Sequence, residues 1–333
     1  MQPLRMVACT EEGIAVVNLD GERATARHIL EQPGVQCVAV DPFDPGRIFA
    51  GTFDHGVRRS RDHGESWSTA GDLPHRRVMA MAFSRCHRVG GSVVVYAGTE
   101  PSNLYRSDDD GATWIPLPGL LDVPSAPSWS FPPRPQTSHV RTITLHPEDP
   151  DVLFAGIELG GVMRSTDGGV TWDDRKPGSY ADSHAIATHP AAPGRVYEAA
   201  GGGVALSDDG GESWRAVDDG LDQRYVWGLA VDPEEPDLWY VSAARGAMEA
   251  HGRGPARAGI YRKRGTRPWE RLGGTDGLER SLTHMPYALL THEGFPRVLV
   301  AGLRNGELLV TRDAGDSWTR LDVRLPGIIA LAS

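Results

Sequence analysis

The stretch Ser165-Thr166-Asp167-Gly168-Gly169-Val170-Thr171-Trp172 decides the fold, because its pattern Ser/Thr-x-Asp-x-Gly-x-x-Trp occurs four more times. The other copies span residues 60–67, 107–114, 207–214 and 311–318. In each copy the Asp can accept hydrogen bonds from backbone N–H groups of its own turn, and the Gly can take a positive φ. The Trp can fill an apolar gap beside the next strand. Each copy therefore predicts a hairpin turn.

The spacing of the tryptophans predicts the architecture. Trp67, Trp114, Trp172, Trp214, a degenerate copy at Trp269, and Trp318 are separated by 47, 58, 42, 55 and 49 residues. Before each copy come an apolar strand, a Pro-containing turn, a second strand that usually ends in Ala-Gly, and a third strand. A period of this length is typical of propeller blades with four strands each.

The two ends of the chain predict how the array closes. Six blades are complete from residue 35 onward, whereas residues 5–30 read as a blade that lacks its first strand. Residues 327–333 read as a spare first strand. We therefore expect an all-β fold: one domain over residues 1–333, a seven-bladed β-propeller of four-stranded antiparallel blades, closed by the C-terminal strand (327–333) joining the N-terminal three-stranded blade.

Composition excludes several classes of function. A formal net charge of −10 argues against a nucleic-acid partner. Residues 1–17 lack the features of a signal peptide and no apolar run is long enough to span a membrane, so we expect a cytoplasmic location and no membrane partner. Three cysteines without C-x-x-C spacing fit neither a disulfide framework nor a structural zinc site, and we expect them to be buried in strands.

Repetition separates the structural motif from the candidate site. A site is normally made once, so a motif made five times is predicted to fold hairpins rather than to perform chemistry. Two long segments, 116–138 with seven prolines and 243–259 with three arginines, interrupt the repeat. Both belong to the propeller face opposite the repeated motif. We expect the functional site on that face, at the mouth of the central channel.

The repeated motif resembles the Asp-box, or bacterial neuraminidase repeat. The whole chain is similar to the propellers of that superfamily, which includes sialidases, xyloglucanase-type glycoside hydrolases, sortilin-type receptors and photosystem assembly propellers. This resemblance implies the fold strongly and the function weakly, because the members range from hydrolases to binding scaffolds. The chain departs from sialidases, since Arg47-Ile48-Phe49 lies in a strand and is not their Arg-Ile-Pro motif.

Comparison of the blades with one another selects candidates for chemistry. Polar residues stand at strand ends where a bare scaffold would place small apolar ones. We expect acid–base roles for Glu158, His184, His139 and Glu100. A divalent transition metal held by His139, Glu158, His184 and His251 is an open alternative, because imidazole and carboxylate suit such ions.

A second group of residues is predicted to bind a small-molecule substrate through positive charge, hydrogen bonds and aromatic faces: Arg77, Arg141, Asp182, Tyr225, Trp227, Tyr287 and Arg253. The leading hypothesis is a hydrolase- or lyase-type enzyme acting on a polar, sugar-like or anionic substrate. The alternative is a non-catalytic scaffold that holds a protein partner through the Pro-rich segment and an arginine-bearing surface. The sequence leaves both open.

Overall fold

The computed structural model describes residues 3–21, 23–274 and 277–333, which form a fold made almost entirely of strands. One short α-helix and two 3₁₀ turns, at Pro118–Asp122 and Ala126–Ser128, complete the regular structure. In chain order the elements are β1 (Leu4–Thr10), β2 (Gly13–Asp20), β3 (Arg23–Glu31), β4 (Val35–Asp41), β5 (Asp44–Thr52), β6 (Val57–Ser60), β7 (Ser68–Thr69), β8 (Arg77–Val89), β9 (Ser92–Glu100), β10 (Leu104–Ser107), β11 (Ile115–Pro116), β12 (Val140–Leu145), β13 (Leu153–Ile157), β14 (Gly161–Ser165), β15 (Ser183–His189), β16 (Ala192–Ala200), β17 (Gly203–Ser207), β18 (Arg215–Ala216), β19 (Tyr225–Val231), β20 (Leu238–Ala244), α1 (Ala247–His251), β21 (Gly259–Arg264), β22 (Glu270–Arg271), β23 (Pro286–His292), β24 (Phe295–Leu303), β25 (Glu307–Thr311), β26 (Thr319–Arg324) and β27 (Ile328–Ala332).

Within the described residues the strands form seven sheets, which are the blades. Six have four strands: β27-β1-β2-β3, β4-β5-β6-β7, β8-β9-β10-β11, β15-β16-β17-β18, β19-β20-β21-β22 and β23-β24-β25-β26. The seventh, β12-β13-β14, continues at its outer edge as an isolated bridge between Arg164 and Asp173. The predicted fold class, a seven-bladed β-propeller of antiparallel blades, is confirmed.

By packing, the chain divides into two compact units. The first unit comprises residues 1–33, 199–205 and 216–333 and holds the sheets that begin with β27, β19 and β23. The second unit comprises residues 34–198 and 206–215 and holds the sheets that begin with β4, β8 and β12. The strands of β15-β16-β17-β18 are divided between these ranges. The single domain over residues 1–333 remains a prediction.

In the first unit, the last strand of the chain completes the first blade. β27 pairs antiparallel with β1, with Val7 opposite Ala332 and Cys9 opposite Ala330. The edge of β1 that would otherwise expose unpaired N–H and C=O groups is thereby covered. The predicted role of residues 327–333 is confirmed.

The Ala-Gly ending of the second strands reflects close packing of neighbouring blades. A Cβ atom at Gly98 would lie 2.5 Å from Val140 Cγ1, and one at Gly302 would lie 2.7 Å from Ile328 Cγ2. Both partners belong to the first strand of the following blade. Glycine recurs there because no side chain fits between the strands.

The five copies of the repeated motif fold as hydrogen-bonded turns. In the copy that decided the fold, Ser165 Oγ donates to Asp167 Oδ1 at 2.8 Å and accepts from the N–H of Gly169 at 2.8 Å. Asp167 also accepts from the backbone and hydroxyl of Thr171, and the indole N–H of Trp172 donates to Gly169 O at 3.0 Å. The other four copies repeat these hydroxyl and aspartate bonds, with Thr311 in place of the serine in the last copy. These residues are engaged in holding a hairpin together.

The two long segments are packed against the units that carry them. In 116–138, Leu120, Val123 and Trp129 are buried in the core of the second unit. In 243–259, α1 is followed by Ala256, whose N–H donates to Thr283 O at 2.8 Å. Cys86 departs from the expectation for cysteines, since it lies in β8 but is exposed.

No described helix is long and apolar enough to cross a membrane.

Candidate functional site

Polar side chains of the second unit gather where the first strands of its blades begin and the second strands end. Glu100 is the last residue of β9, His139 precedes β12 and Glu158 follows β13. Asp182 precedes β15, in which His184 is the second residue. Since first and second strands pair antiparallel, the start of one lies beside the end of the other.

Glu100 is the acceptor of two arginines. Its Oε1 accepts from Arg77 at 2.7 Å, and Arg134 forms a bidentate pair with both carboxylate oxygens at 2.6 and 2.5 Å. Burial alone would raise the pKa of this carboxyl, but the hydrogen bonds and charges of Arg134 and Arg77 lower it below its usual range. Glu100 is therefore the centre of an ion-pair network, and this arrangement does not support the acid–base role predicted for it.

Arg77 is engaged in the same way and is not a free substrate anchor. The guanidinium of Arg77 pairs with Glu100 and also lies 3.9 Å from the ring centroid of Phe53. Arg134, from the Pro-rich segment, lies 4.7 Å from the centroid of Phe131, and Phe131 in turn meets His139 edge to face at 4.7 Å. The Pro-rich segment thus forms one wall of the site.

His139 and Glu158 form the pair equivalent to Arg77 and Glu100, one blade later. The Nε2 of His139 lies 3.0 Å from Oε2 of Glu158, and His139 is almost wholly buried. Burial would raise the pKa of Glu158, but the hydrogen bond from His139 and the nearby positive charge of Arg141 lower it below its usual range. Glu158 is a carboxylate under ordinary conditions, ready to accept a proton or to ligate a cation.

Glu158, Asp182 and His184 meet at one point. One donor atom from each residue lies within 4.8 Å of the other two. The His184 side chain is buried, with Nε2 3.4 Å from Asp182 Oδ1, whereas the carboxylates are 12% and 19% exposed for Glu158 and Asp182. Two carboxylates that keep a small exposed fraction beside a buried imidazole can transfer protons or hold a divalent cation.

Glu198, in β16, is a functional candidate that sequence comparison missed. It is fully buried, and its Oε2 accepts from the N–H of Tyr180, in the segment that leads to Asp182. Burial raises its pKa to about 8. A comparison of the second strands could have identified Glu198. Alanine occupies the corresponding position in other blades, as in Phe49-Ala50-Gly51 and Phe154-Ala155-Gly156.

In the first unit the predicted ligand residues form an aromatic cluster around His251. The Nε2 of His251 lies 2.8 Å from the hydroxyl of Tyr225, and Nδ1 lies 2.7 Å from the hydroxyl of Tyr287. The ring centroid of Trp227 is 4.6 Å from that of His251. Because both ring nitrogens already have hydroxyl partners, the structure does not support His251 as a metal ligand.

The structure therefore sorts the predicted residues into two groups. Glu158, His139, His184, Asp182 and Arg141 come together in the second unit. A second group comes together in the first unit and consists of Tyr225, Trp227, Tyr287 and His251. Arg253 lies two residues after His251, the last residue of α1, and is exposed.

Comparison with known proteins finds relatives but no matching family model. A xyloglucanase from Paenibacillus sp. is 26% identical over 256 residues, which are 63% of this chain and 24% of that protein. Among solved structures, the GH74 xyloglucanase from Xanthomonas campestris has a TM-score of 0.70 at 18% identity, covering 98% of this chain and 52% of that one. A structure of YCF48 bound to D1 peptide has a TM-score of 0.57 at 15% identity, covering 87% of this chain and 82% of that one.

These likenesses support the propeller fold. This chain is similar to xyloglucanase-type propellers, and it spans about a quarter of the length of the curated relative described above. The structural neighbours, at 18% and 15% identity, bear on the fold alone.

Proposed function

We propose that this chain is a glycoside hydrolase-type enzyme acting on a sugar polymer or oligosaccharide. Its catalytic centre is formed by Glu158 and Asp182, and the buried imidazoles of His139 and His184 contact these two carboxylates. The observation that carries the proposal is that two partly exposed carboxylates, Glu158 and Asp182, lie close together. Each contacts a buried imidazole: His139 lies beside Glu158, and His184 lies beside Asp182.

Hydrolysis of a glycosidic bond needs one carboxyl group that supplies a proton and one that acts as a base or nucleophile. Glu158 suits the second role, because its lowered pKa keeps it ionised. Asp182 would take the first role as the other carboxyl group at this point, and its Oδ1 lies 3.4 Å from Nε2 of the buried His184. His139 does not touch the reacting atoms in this scheme and positions Glu158 through the 3.0 Å contact.

The comparison with curated proteins supports a sugar substrate. The similarity to a Paenibacillus xyloglucanase extends over 63% of this chain. That relative is much longer, so the activity and the substrate of this chain rest on the geometry of its own site. We therefore name the class of reaction and leave the sugar to experiment.

The test is hydrolysis of xyloglucan oligosaccharides and other soluble glucans by purified protein, followed as release of reducing ends. Glu158→Gln and Asp182→Asn are expected to abolish the release. Glu148→Gln is a matched control, because Glu148 is exposed in the turn between β12 and β13 and belongs to the same unit. A wild-type protein inactive on every sugar, or an active E158Q, would overturn the proposal.

A metal-assisted form of the reaction would use the same three side chains as ligands. The imidazole of His184 and the carboxylates of Glu158 and Asp182 suit a divalent transition ion, with His139 orienting Glu158 from behind. Such an ion would supply polarisation of the substrate oxygen. Calorimetric titration with Zn²⁺ and Mn²⁺ separates the two forms. Binding that is lost in His184→Ala and kept in His292→Ala supports the metal.

The second candidate function is a protein-binding module. It is favoured by exposed apolar side chains of the second unit: Ile115, Leu121 and Val170 are 49%, 43% and 64% exposed. Gly119 packs against the backbone of Val170, which brings two parts of this surface together. A solved structure shows YCF48, to which the fold is similar, bound to D1 peptide. A chain that hydrolyses no sugar and is unaffected by E158Q would favour this candidate.

A further inference from the structure

The segment 244–259 of the first unit is rigidly attached, although it is a long connection between β20 and β21. Arg304 donates from Nη1 to the carbonyl oxygens of His251 and Gly252 at 2.6 and 2.8 Å. The hydroxyl of Tyr287 donates to Ala250 O at 3.2 Å, and Ala250 is buried. Together with the two tyrosine contacts of His251, these bonds fix α1 in place.

The outward side of this segment carries uncompensated positive charge. Arg245, Arg253 and Arg257 are exposed, and none of the three guanidinium groups has an ion pair or hydrogen bond to any residue within 3–21, 23–274 and 277–333. The segment contains a single acidic residue, the half-buried Glu249. Asp222 precedes Gln223, whose side-chain amide donates to Arg257 O, and it is already bound by Arg271 at 2.8 Å. The chain as a whole has a net charge of −10, whereas this surface is positively charged.

Two aromatic side chains, Tyr225 and Trp227, lie close to the start of this segment. Tyr225 lies opposite Ala244 in the β19–β20 pairing, so Arg245 follows directly beyond it. The rings of Tyr225 and Trp227 stack at 6.2 Å, and both are half-buried. Met248, on the outer side of α1, is 83% exposed. Flat aromatic and apolar surface beside arginine forks suits a ligand that has ring faces as well as carboxylates.

We infer that this surface, made by Arg245, Arg253 and Arg257 with Tyr225 and Trp227, binds an acidic polysaccharide through its uronate carboxylates. The inference rests on the proposed function for its choice of a sugar ligand, and it goes beyond that function by giving the first unit a binding surface of its own. Poly-glutamate would meet the same charges, but it has no ring that could stack on the aromatic faces. Rigid attachment of α1 reduces the ordering cost of binding, since the arginines are presented on a fixed backbone.

The experiment measures binding of oligogalacturonate, neutral xyloglucan oligosaccharide and poly-glutamate by calorimetry at low salt. We expect the wild-type protein to bind oligogalacturonate most tightly. R245Q/R253Q/R257Q should weaken this binding at least about tenfold, because three charge-assisted contacts are lost. Raising the salt to about 0.5 M should weaken it as well, since the arginines are exposed to solvent. Arg267→Gln, an exposed arginine of the same unit, is the matched control and should change nothing.

Two outcomes would overturn the inference: preference of the wild type for the neutral oligosaccharide, or equal binding of poly-glutamate and oligogalacturonate. E158Q/D182N separates this inference from the proposed function. If that variant still binds oligogalacturonate through the arginines while the wild type cleaves no sugar, the binding surface stands and the hydrolase proposal fails. If the wild type cleaves neutral glucans and the arginine variant does so equally well without any preference for acidic sugars, the surface fails and the hydrolase stands.

Discussion

The imidazole of His139 donates through Nε2 to Oε2 of Glu158 at 3.0 Å, at the place where Arg77 and Glu100 pair one blade earlier. Both pairs join the start of a first strand to the end of a second. The substitution of imidazole for guanidinium changes the chemistry of the position, because an imidazole nitrogen can donate or accept a hydrogen bond or ligate a metal, whereas a guanidinium only donates. The candidate site thus lies at a position that occurs in both of these blades and carries different side chains in each.

The first prediction concerns the reacting carboxylate. Glu158→Gln keeps the size of the side chain but removes its charge, so hydrolysis should fall by about a hundredfold or more. His139→Gln retains a donor for Glu158 and should lower the rate less than His139→Ala. The measurement is the rate of reducing-end release, with circular dichroism to verify folding. Equal losses in the two His139 variants would contradict a positioning role.

The second prediction concerns the ion-pair network in the wall of the site. Arg134→Ala removes a bidentate partner from the buried Glu100 and leaves it with Arg77, so unfolding free energy should fall by roughly 1–3 kcal/mol. Urea denaturation measures the change. Glu100→Gln combined with Arg134→Ala should cost less than the sum of the two single variants, because the buried charge is then absent.

The exposed pair of Arg320 and Glu307, 3.1 Å apart, is the control for that network. Arg320→Ala should change stability by only about 0.5 kcal/mol, since solvent screens this pair. A loss in Arg134→Ala no larger than this would show that the Glu100 network contributes little.

The third prediction follows from the pKa of Glu198, which burial raises to about 8. Around the carboxyl lie the N–H of Tyr180, the hydroxyl of Ser183 and, at longer range, the charge of Arg175. Because the folded protein holds this proton more tightly than the unfolded chain, the stabilisation is complete below the unfolded pKa, about 4.5. It is lost as the pH rises through about 8. Glu198→Gln cannot ionise and should unfold at a higher temperature than the wild type at alkaline pH.

Thermal unfolding between mildly acidic and alkaline pH tests this. The wild type should lose stability across this range relative to Glu198→Gln, by on the order of 1–3 kcal/mol at the alkaline end. Parallel curves for the two proteins would show that Glu198 does not bind a proton in the folded state.

The fourth prediction concerns the repeated turn. Hydrogen bonds from the hydroxyl and N–H of Ser213 and from Ser207 lower the pKa of Asp209 to about 2. For a lowered pKa the stabilisation is present above the unfolded value, about 3.8, and is lost as the pH falls through about 2. Asp209→Asn should therefore destabilise the protein at neutral pH, by roughly 0.5–1 kcal/mol after allowance for solvent exposure. The deficit should disappear in strong acid.

Urea denaturation at neutral pH and below about pH 2 measures the Asp209 effect. Asp72→Asn, at an exposed aspartate outside the repeated motif, is the control and should show no deficit at neutral pH. A deficit in Asp209→Asn that persists unchanged in acid would assign it to side-chain shape instead of charge.

The sequence by itself determined the blades. The Ser-x-Asp-x-Gly-x-x-Trp turns, the Ala-Gly ends of second strands and the unpaired strand at 327–333 depend on hydrogen bonds and packing contacts that recur with the repeat. Such local and periodic constraints are written in residue spacing. It also placed His139, Glu158 and His184 at strand ends, because antiparallel pairing fixes which ends adjoin.

Only the tertiary structure decided what each polar residue contacts. Glu100 and Glu158 follow second strands in the same way, yet Arg134, 34 residues further along the chain, binds the first and makes it structural. His251 looked like a ligand until Tyr225 and Tyr287 were found on its two nitrogens. Glu198 looked like one more strand residue until its burial emerged. The burial of a side chain, the charges near it and its hydrogen-bond partners depend on residues from distant parts of the chain. The spacing of residues along the sequence does not predict these contacts.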